Sequence, residues 1–205
     1  MQQTKKRKMK ETAKQQGRRL LRPAVSVLAA MHVSPTAVTI VGLPLSIGAG
    51  FCFAAGWFIL GGVLAALVGL CDTLDGELSR RTGTASALGA FLDSTVDRLS
   101  ESFVLVGLYW YYRDSWFGLL AIVALVFSLM VSYVRARAEG LGRECKVGWF
   151  ERPVRVLVLL AGAFILGRTW MPLALGVIAL GSFITVGVAG SMIPGPGTTT
   201  LPWTS

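Results

Sequence analysis

The chain has 205 residues, of which 53% are hydrophobic and only 15% charged. That composition excludes an ordinary soluble domain and falls in the membrane class, and the length leaves room for one compact helical bundle. The net charge of +9 is unevenly spread, with nine basic residues and a single acid, Glu11, between Met1 and Arg22. In a soluble protein such a run would point to nucleic acid. Here it leads into apolar sequence, so the expected partner is membrane lipid with anionic headgroups, or else the run is only a topology signal; nucleic acid is not expected.

In chain order, residues 1–35 are a basic arm followed by an amphipathic interfacial helix over about Leu20 to Met31. The arm is too long for a secretory leader, Pro23 interrupts it, and a longer apolar segment follows at once. Residues 36–190 contain six stretches that approach the roughly 20 apolar residues a spanning helix needs. They run over about Thr36–Ala55, Phe58–Arg80, Ala85–Tyr112, Trp116–Ala138, Val154–Leu166 and Pro172–Ala189. The composition of residues 191–205, rich in Pro, Gly and Thr, predicts a flexible tail. The expected fold class is therefore an all-α integral membrane protein, six transmembrane helices preceded by the interfacial helix. Cys52, Cys71 and Cys145 have neither pairing nor metal-site spacing and read as small buried hydrophobes.

Loop charge sets the expected orientation. The N-terminal arm, Arg80-Arg81 and the segment from Arg135 to Arg155 are basic, whereas the other connections hold only Arg113 with Asp114, and Arg168. The positive-inside rule places the basic set, and with it both termini, on the cytoplasmic side, which demands an even number of spans. Trp57, Tyr109 to Tyr112, Trp116 and Trp170 fall at the opposite ends, as an interfacial aromatic belt would. Glycines spread through the spans allow close helix approach and a homodimer. His32, the only histidine, stands before Ser34-Pro35 and reads as an interfacial or capping residue.

The second and third stretches carry an acidic cluster. It reads Asp72-Thr-Leu-Asp75-Gly76-Glu-Leu-Ser79-Arg80, then eight residues, then Gly89-Ala-Phe-Leu-Asp93-Ser-Thr-Val-Asp97. Carboxylates beside long apolar runs are costly, so they mark a functional site by default. Asp72 and Asp75 lie about 60° apart on one helix face, and Asp93 and Asp97 share a face in the same way. A short basic turn joins the two helices, which predicts antiparallel neighbours whose acidic faces meet near the cytoplasmic end. Four converging carboxylates repel unless cations neutralise them. Hard divalent ions with oxygen ligands, Mg²⁺ or Mn²⁺, suit that set, and four ligands suit two ions clamping a phosphoryl transfer. Gly76 and Gly89 clear space near the cluster, Arg80 offers a planar fork to a phosphate oxygen, and Asp97 is the candidate general base. The competing readings are a structural network with Arg80, Arg81 and Arg98, and an ion-coupled transporter. Transporters tend to repeat their broken, charged helices in both halves, and no internal repeat is visible here.

These residues resemble the signature of the CDP-alcohol phosphotransferase (CDP-alcohol phosphatidyltransferase) family, DxxDGxxAR followed by GxxxDxxxD. The match covers Asp72, Asp75, Gly76, Arg80, Gly89, Asp93 and Asp97, with Ser79 standing where the family has alanine. The resemblance implies that the phosphatidyl group of CDP-diacylglycerol passes to an alcohol with release of CMP. It further implies that Asp72, Asp75, Asp93 and Asp97 hold the metal pair, with Asp93 and Asp97 catalytic, and that Thr39, Asp72, Gly76, Arg80 and Gly89 bind the CDP-lipid. The family's Pro-Asn-x-x-Thr reads Pro35-Thr36-Ala37-Val38-Thr39 here, so Thr36 replaces asparagine. The segments Ser132 to Gly142 and Phe150 to Arg155 are similar to the bacterial phosphatidylinositol-phosphate synthase branch, as is Leu92 to Arg98. That likeness implies a soluble phosphorylated polyol as acceptor, myo-inositol 1-phosphate before glycerol 3-phosphate, its phosphate held by Arg135, Arg152 and Arg155. The same branch has an arginine after a Thr-Val pair in the last helix, where this chain has Thr185-Val186-Gly187. The expected location is the cell inner (cytoplasmic) membrane, with the active site facing the cytoplasm.

Overall fold

The computed structural model describes residues 22–141 and 150–191, and all of its regular structure is helical. The basic arm to residue 21, Cys145 and the tail from residue 192 lie outside the described residues. Helix α1 covers 22–30. It is followed by α2 (Pro35–Ala54), α3 (Phe58–Thr82), α4 (Ala87–Tyr112), α5 (Trp116–Gly140), α6 (Arg152–Ala161), a π-helical stretch (Gly162–Leu166) and α7 (Gly167–Ser191). Local sequence sets the boundaries. Ser34, Ser86 and Ser115 each sit in extended backbone and cap α2, α4 and α5, the side-chain oxygen accepting from Ala37, Gly89 and Phe117 N–H. Gly83, at φ 67°, closes α3 in the left-handed region.

Helix α2 is the spine. Both α3 and α4 pack along it, and they touch each other only sparsely. This departs from the expected α3–α4 neighbour pair, and small residues explain it. A Cβ on Gly107 would lie 2.1 Å from the Gly50 carbonyl oxygen, and one on Gly50 would lie 2.4 Å from that of Phe103. Backbone therefore meets backbone where α2 crosses α4. The Phe53 ring covers Gly61 of α3 in turn, and a core of Phe53, Phe58, Leu105 and Leu108 fills the adjoining space.

At the end of the bundle away from the acids, Phe58 packs edge-on against Phe53 and Tyr111. Four segments are long and apolar enough to cross a membrane by length and composition: Pro35–Ala54, Phe58–Thr82, Trp116–Gly140 and Arg152–Ala189. The six-span expectation differs from this count at two places, each for a physical reason. Helix α4 is long, but Asp93, Asp97, Arg98 and Glu101 charge its first half. The final segment reads as one apolar run yet folds into two antiparallel arms. Gly167 (φ 63°, ψ −170°) reverses the chain in a conformation open almost only to glycine, and Gly162 packs on Met171 and Ala174 while Phe150 covers Gly181. Helix α7 also begins five residues before the expected Pro172. That proline cannot donate to the carbonyl of Arg168, and the Tyr112 hydroxyl donates to it instead.

Large apolar side chains such as Phe51, Ile59 and Ile165 point outward, the last 80% exposed. On a bundle of this composition they form the lipid-facing surface of a multi-pass membrane protein. Helix α1 is docked rather than free: Val25 is buried, and Arg81 Nη1 donates to Ser26 Oγ at 2.6 Å. The glycine crossing gives a direct test. Gly107→Ala should cost about 1–3 kcal/mol through overpacking, seen as a lower Tm in detergent, whereas Gly187→Ala, with nothing within 4 Å of the new methyl, should leave Tm unchanged.

Candidate active site

Three of the four signature aspartates come together. One carboxylate oxygen each from Asp72, Asp75 and Asp93 lies within 4.8 Å of the others. Helix α3 supplies the first two one turn apart, and the start of α4 supplies the third. Asp75 is buried and takes a 2.6 Å hydrogen bond from the Thr39 hydroxyl, which fixes its Oδ2. Asp93 Oδ1 is buried without a hydrogen-bond partner. An oxygen-only donor set with one buried oxygen left open fits a hard divalent cation.

Asp97 stands beside this group and is held differently. Arg152, at the first turn of α6, places Nη1 2.8 Å from Asp97 Oδ2 and 3.0 Å from Asp72 Oδ2. One guanidinium thus bridges the two ends of the aspartate set. Its neighbour one turn on, Arg155, is fully buried and grips both Glu101 carboxylate oxygens along one edge of its fork. Sequence reasoning passed over Glu101, although the spacing of Asp93, Asp97 and Glu101 at every fourth residue puts all three on one stripe of α4.

Two cavities flank the cluster. The first, of about 640 Å³, is walled by the N-terminal ends of α2 and α4 with Thr39, Asp75, Gly76, Arg80 and Asp93. Ser34, Thr36, Ser86 and Gly89 line it, so the positive dipole ends of two helices border one space, a favourable setting for anionic oxygens. Arg80 reaches its wall while paired to Glu77 at 2.8 Å, its guanidinium lying over Gly76. Ser79 and His32 line the same cavity, the latter at φ 54° in the turn between α1 and α2.

The second cavity, of about 590 Å³, is lined by Asp93, Asp97, Glu101, Arg135, Arg152 and Arg155. Arg135 pairs with Glu139 at 3.1 Å, both side chains being about half exposed, and such a pair yields easily to a stronger anion. On the α7 side the wall is Thr185 and Ala189, where the branch pattern had suggested a base. Asp93 belongs to both cavities. The predicted site residues therefore lie at one end of the bundle, but the set is split: Thr39, Asp75, Gly76, Arg80 and Gly89 on one side, Asp97, Arg135, Arg152 and Arg155 on the other, with Asp93 on both walls and Asp72 in the carboxylate group between them.

A helical membrane bundle with an acidic, cation-fitting centre between two cavities that carry charged side chains on largely apolar walls is the architecture of a membrane enzyme. Residues 32–188 match the profile of the CDP-alcohol phosphatidyltransferase family, and the chain belongs to that family. It is 40% identical over 153 residues to an archaetidylinositol phosphate synthase of Methanothermobacter thermautotrophicus, covering 73% of this chain and 77% of the relative. Its fold is similar to crystal structures of the Mycobacterium tuberculosis phosphatidylinositol phosphate synthase. The form with CDP-DAG bound superposes with a TM-score of 0.79 at 29% identity, covering 89% of this chain and 98% of that one. The form in complex with manganese and citrate gives 0.77 at 29% identity, covering 87% and 92%. Membership in a transferase family sets the transporter reading aside.

The Thr39–Asp75 bond carries the next prediction. Thr39→Val removes a hydrogen bond to a charged group, worth about 1.5–3 kcal/mol, and should lower kcat/KM for CMP release by about tenfold or more. Thr39→Ser should retain most of the activity; CMP release by the purified variants checks both.

Proposed function

We propose that this enzyme transfers the phosphatidyl group of CDP-diacylglycerol to myo-inositol 1-phosphate, giving phosphatidylinositol phosphate and CMP. The observation that carries the reading is the position of Asp93 on the wall common to both cavities, beside Asp72 and Asp75. A donor phosphoryl group in one cavity and an acceptor hydroxyl in the other then meet at one acidic centre. The relatives add support, since the two named above are an archaetidylinositol phosphate synthase and a phosphatidylinositol phosphate synthase.

In this reading the first cavity takes the CDP part. Arg80 and the N-terminal ends of α2 and α4 bind pyrophosphate oxygens, Gly76 and Gly89 leave room for them, and Asp72 meets the lipid phosphate from the acidic centre. Thr39 acts through Asp75 and fixes its carboxylate. Mg²⁺ or Mn²⁺ held by Asp72, Asp75 and Asp93 supplies neutralisation of the carboxylates and polarisation of the phosphoryl oxygens. A second ion would draw on Asp97 as well. The acceptor hydroxyl oxygen attacks the lipid-side phosphorus, the bond from that phosphorus to the bridging oxygen breaks, and CMP departs with the electron pair. Asp97 takes the hydroxyl proton. Arg152 ties Asp97 to Asp72, which orients the base relative to the donor side.

Arg135, Arg152 and Arg155 form the acceptor's phosphate site in this scheme. A second acceptor, glycerol 3-phosphate, is favoured by the wall of Thr185 and Ala189, which lacks the base that the inositol-phosphate branch carries after its Thr-Val pair. With six spans, counting α4 and both arms of the final hairpin, the positive-inside rule supports a reading in which both termini and the two cavities face the cytoplasm across the cell inner (cytoplasmic) membrane. The soluble acceptor arrives from there, and the CDP-lipid enters from the bilayer.

The deciding assay supplies CDP-diacylglycerol, Mg²⁺ or Mn²⁺ and a panel of acceptors, and follows CMP. Release should be fastest with myo-inositol 1-phosphate; release with glycerol 3-phosphate alone would replace the acceptor, and none with any acceptor would overturn the transferase reading of this site. Chelation by EDTA should abolish release and added Mn²⁺ restore it. Asp97→Asn should lower kcat by about 100-fold or more while CDP-diacylglycerol still binds; a wild-type rate would remove Asp97 as base.

A further inference from the structure

The acidic stripe of α4 continues one turn beyond the signature, to Glu101. Arg155 Nε–H donates to Glu101 Oε1 at 2.6 Å and its Nη2–H to Oε2 at 2.8 Å, while Nη1–H donates to the Phe150 carbonyl at 3.3 Å. Arg155 is 2% exposed. Three of the five N–H groups of a guanidinium are thereby committed, and two remain, one on each terminal nitrogen. Clamped along one edge and at the far nitrogen, the plane of the guanidinium cannot turn.

Stability alone does not account for such a pair. Around it stand Val104, Leu105, Leu159 and Ile178, which line the small inner cavity that Glu101 and Arg155 also border. In such surroundings a buried ion pair contributes no more than apolar side chains of similar volume, because desolvation offsets the attraction. Glu101 and Arg155 also line the acceptor-side cavity together with Asp97 and Arg135. A clamped fork on a cavity wall is a device for recognising oxygen atoms at fixed positions.

We propose that Glu101 is a positioning residue for acceptor recognition, clamping Arg155 so that its two uncommitted N–H groups meet the phosphate of the acceptor. The inference rests on the reading that the second cavity receives a phosphorylated acceptor. Glu101 touches neither substrate. It acts through Arg155, and its loss is felt on one substrate only.

The test takes the full-length enzyme in detergent with CDP-diacylglycerol and whichever of myo-inositol 1-phosphate or glycerol 3-phosphate the wild type uses. Glu101→Gln keeps the shape and one carbonyl acceptor but loses the charge that holds the fork. It should raise the acceptor KM about tenfold and leave the CDP-diacylglycerol KM within about twofold, as expected when a charge-assisted bond is lost on one side of the site. Glu101→Asp, which keeps the charge on a shorter arm, should give an intermediate acceptor KM, and this variant decides if the glutamine form does not fold. In an Arg155→Gln background, Glu101→Gln should add nothing further to the acceptor KM. Equal changes in both KM values, an unchanged acceptor KM, or additive effects in the double variant would each overturn the inference. A wild type that uses neither acceptor would defeat the functional reading itself, and the inference falls with it.

Discussion

Five carboxylates, Asp72, Asp75, Asp93, Asp97 and Glu101, gather at one end of a bundle whose other walls are apolar, and the construction of that end follows from neutralising them. Four of the five are met by three devices. Thr39 donates to Asp75, Arg152 spans Asp72 and Asp97, and Arg155 closes on Glu101. Asp93 keeps a buried oxygen without a partner, which leaves the cluster open to a cation at the point where the two cavities join. Removing any one partner would strand a charge in a poorly solvated place, so the end of the bundle behaves as one electrostatic unit.

That unit depends on helices held at close range, and glycine is what permits it. The contact between Gly50 and Gly107 lets α4 lie against α2 nearly backbone to backbone. Helix α3 approaches α2 from its other flank, so α2 holds the two acidic helices apart along their length and lets them converge at the charged end. Helix α6 is short, and its first turn delivers Arg152 and Arg155 across that convergence. The reversal at Gly167 and the Tyr112 bond to the Arg168 carbonyl fix the hairpin from which α6 is presented.

The partition of the site into two cavities suits a transfer between unlike substrates. In the proposed reading, the side next to the N-termini of α2 and α4 takes phosphate oxygens through those helix ends and Arg80, without exhausting the charge of the centre. The other side balances acids against arginines, so the dianionic acceptor of the proposed reaction would meet cations only where their carboxylate partners can yield or are fixed by the fold. Arg135, half exposed and weakly paired, belongs to the first kind, and Arg155 to the second. The departures at Thr36 and Ser79 both fall on the wall of the first cavity, where small polar side chains leave its volume intact.

By itself the sequence determined the helical class, nearly all helix boundaries and the identity of the acidic centre. Apolar run length and a long fixed spacing of Asp and Gly are local signals that survive without tertiary context. The same signals led to one wrong neighbour relation, because a short turn between α3 and α4 does not reveal that α2 passes between them through contacts such as Gly50 with Gly107. The long α4 and the two arms of the last segment were both legible as separate apolar stretches, but the conformation of Gly167 that reverses the chain between those arms was not. Only the tertiary structure decided which charges meet. That Arg152 joins Asp72 to Asp97, that Thr39 serves Asp75, and that Glu101 clamps Arg155 are pairings between residues 36, 54 or more positions apart, set by how helices cross rather than by any pattern along one of them.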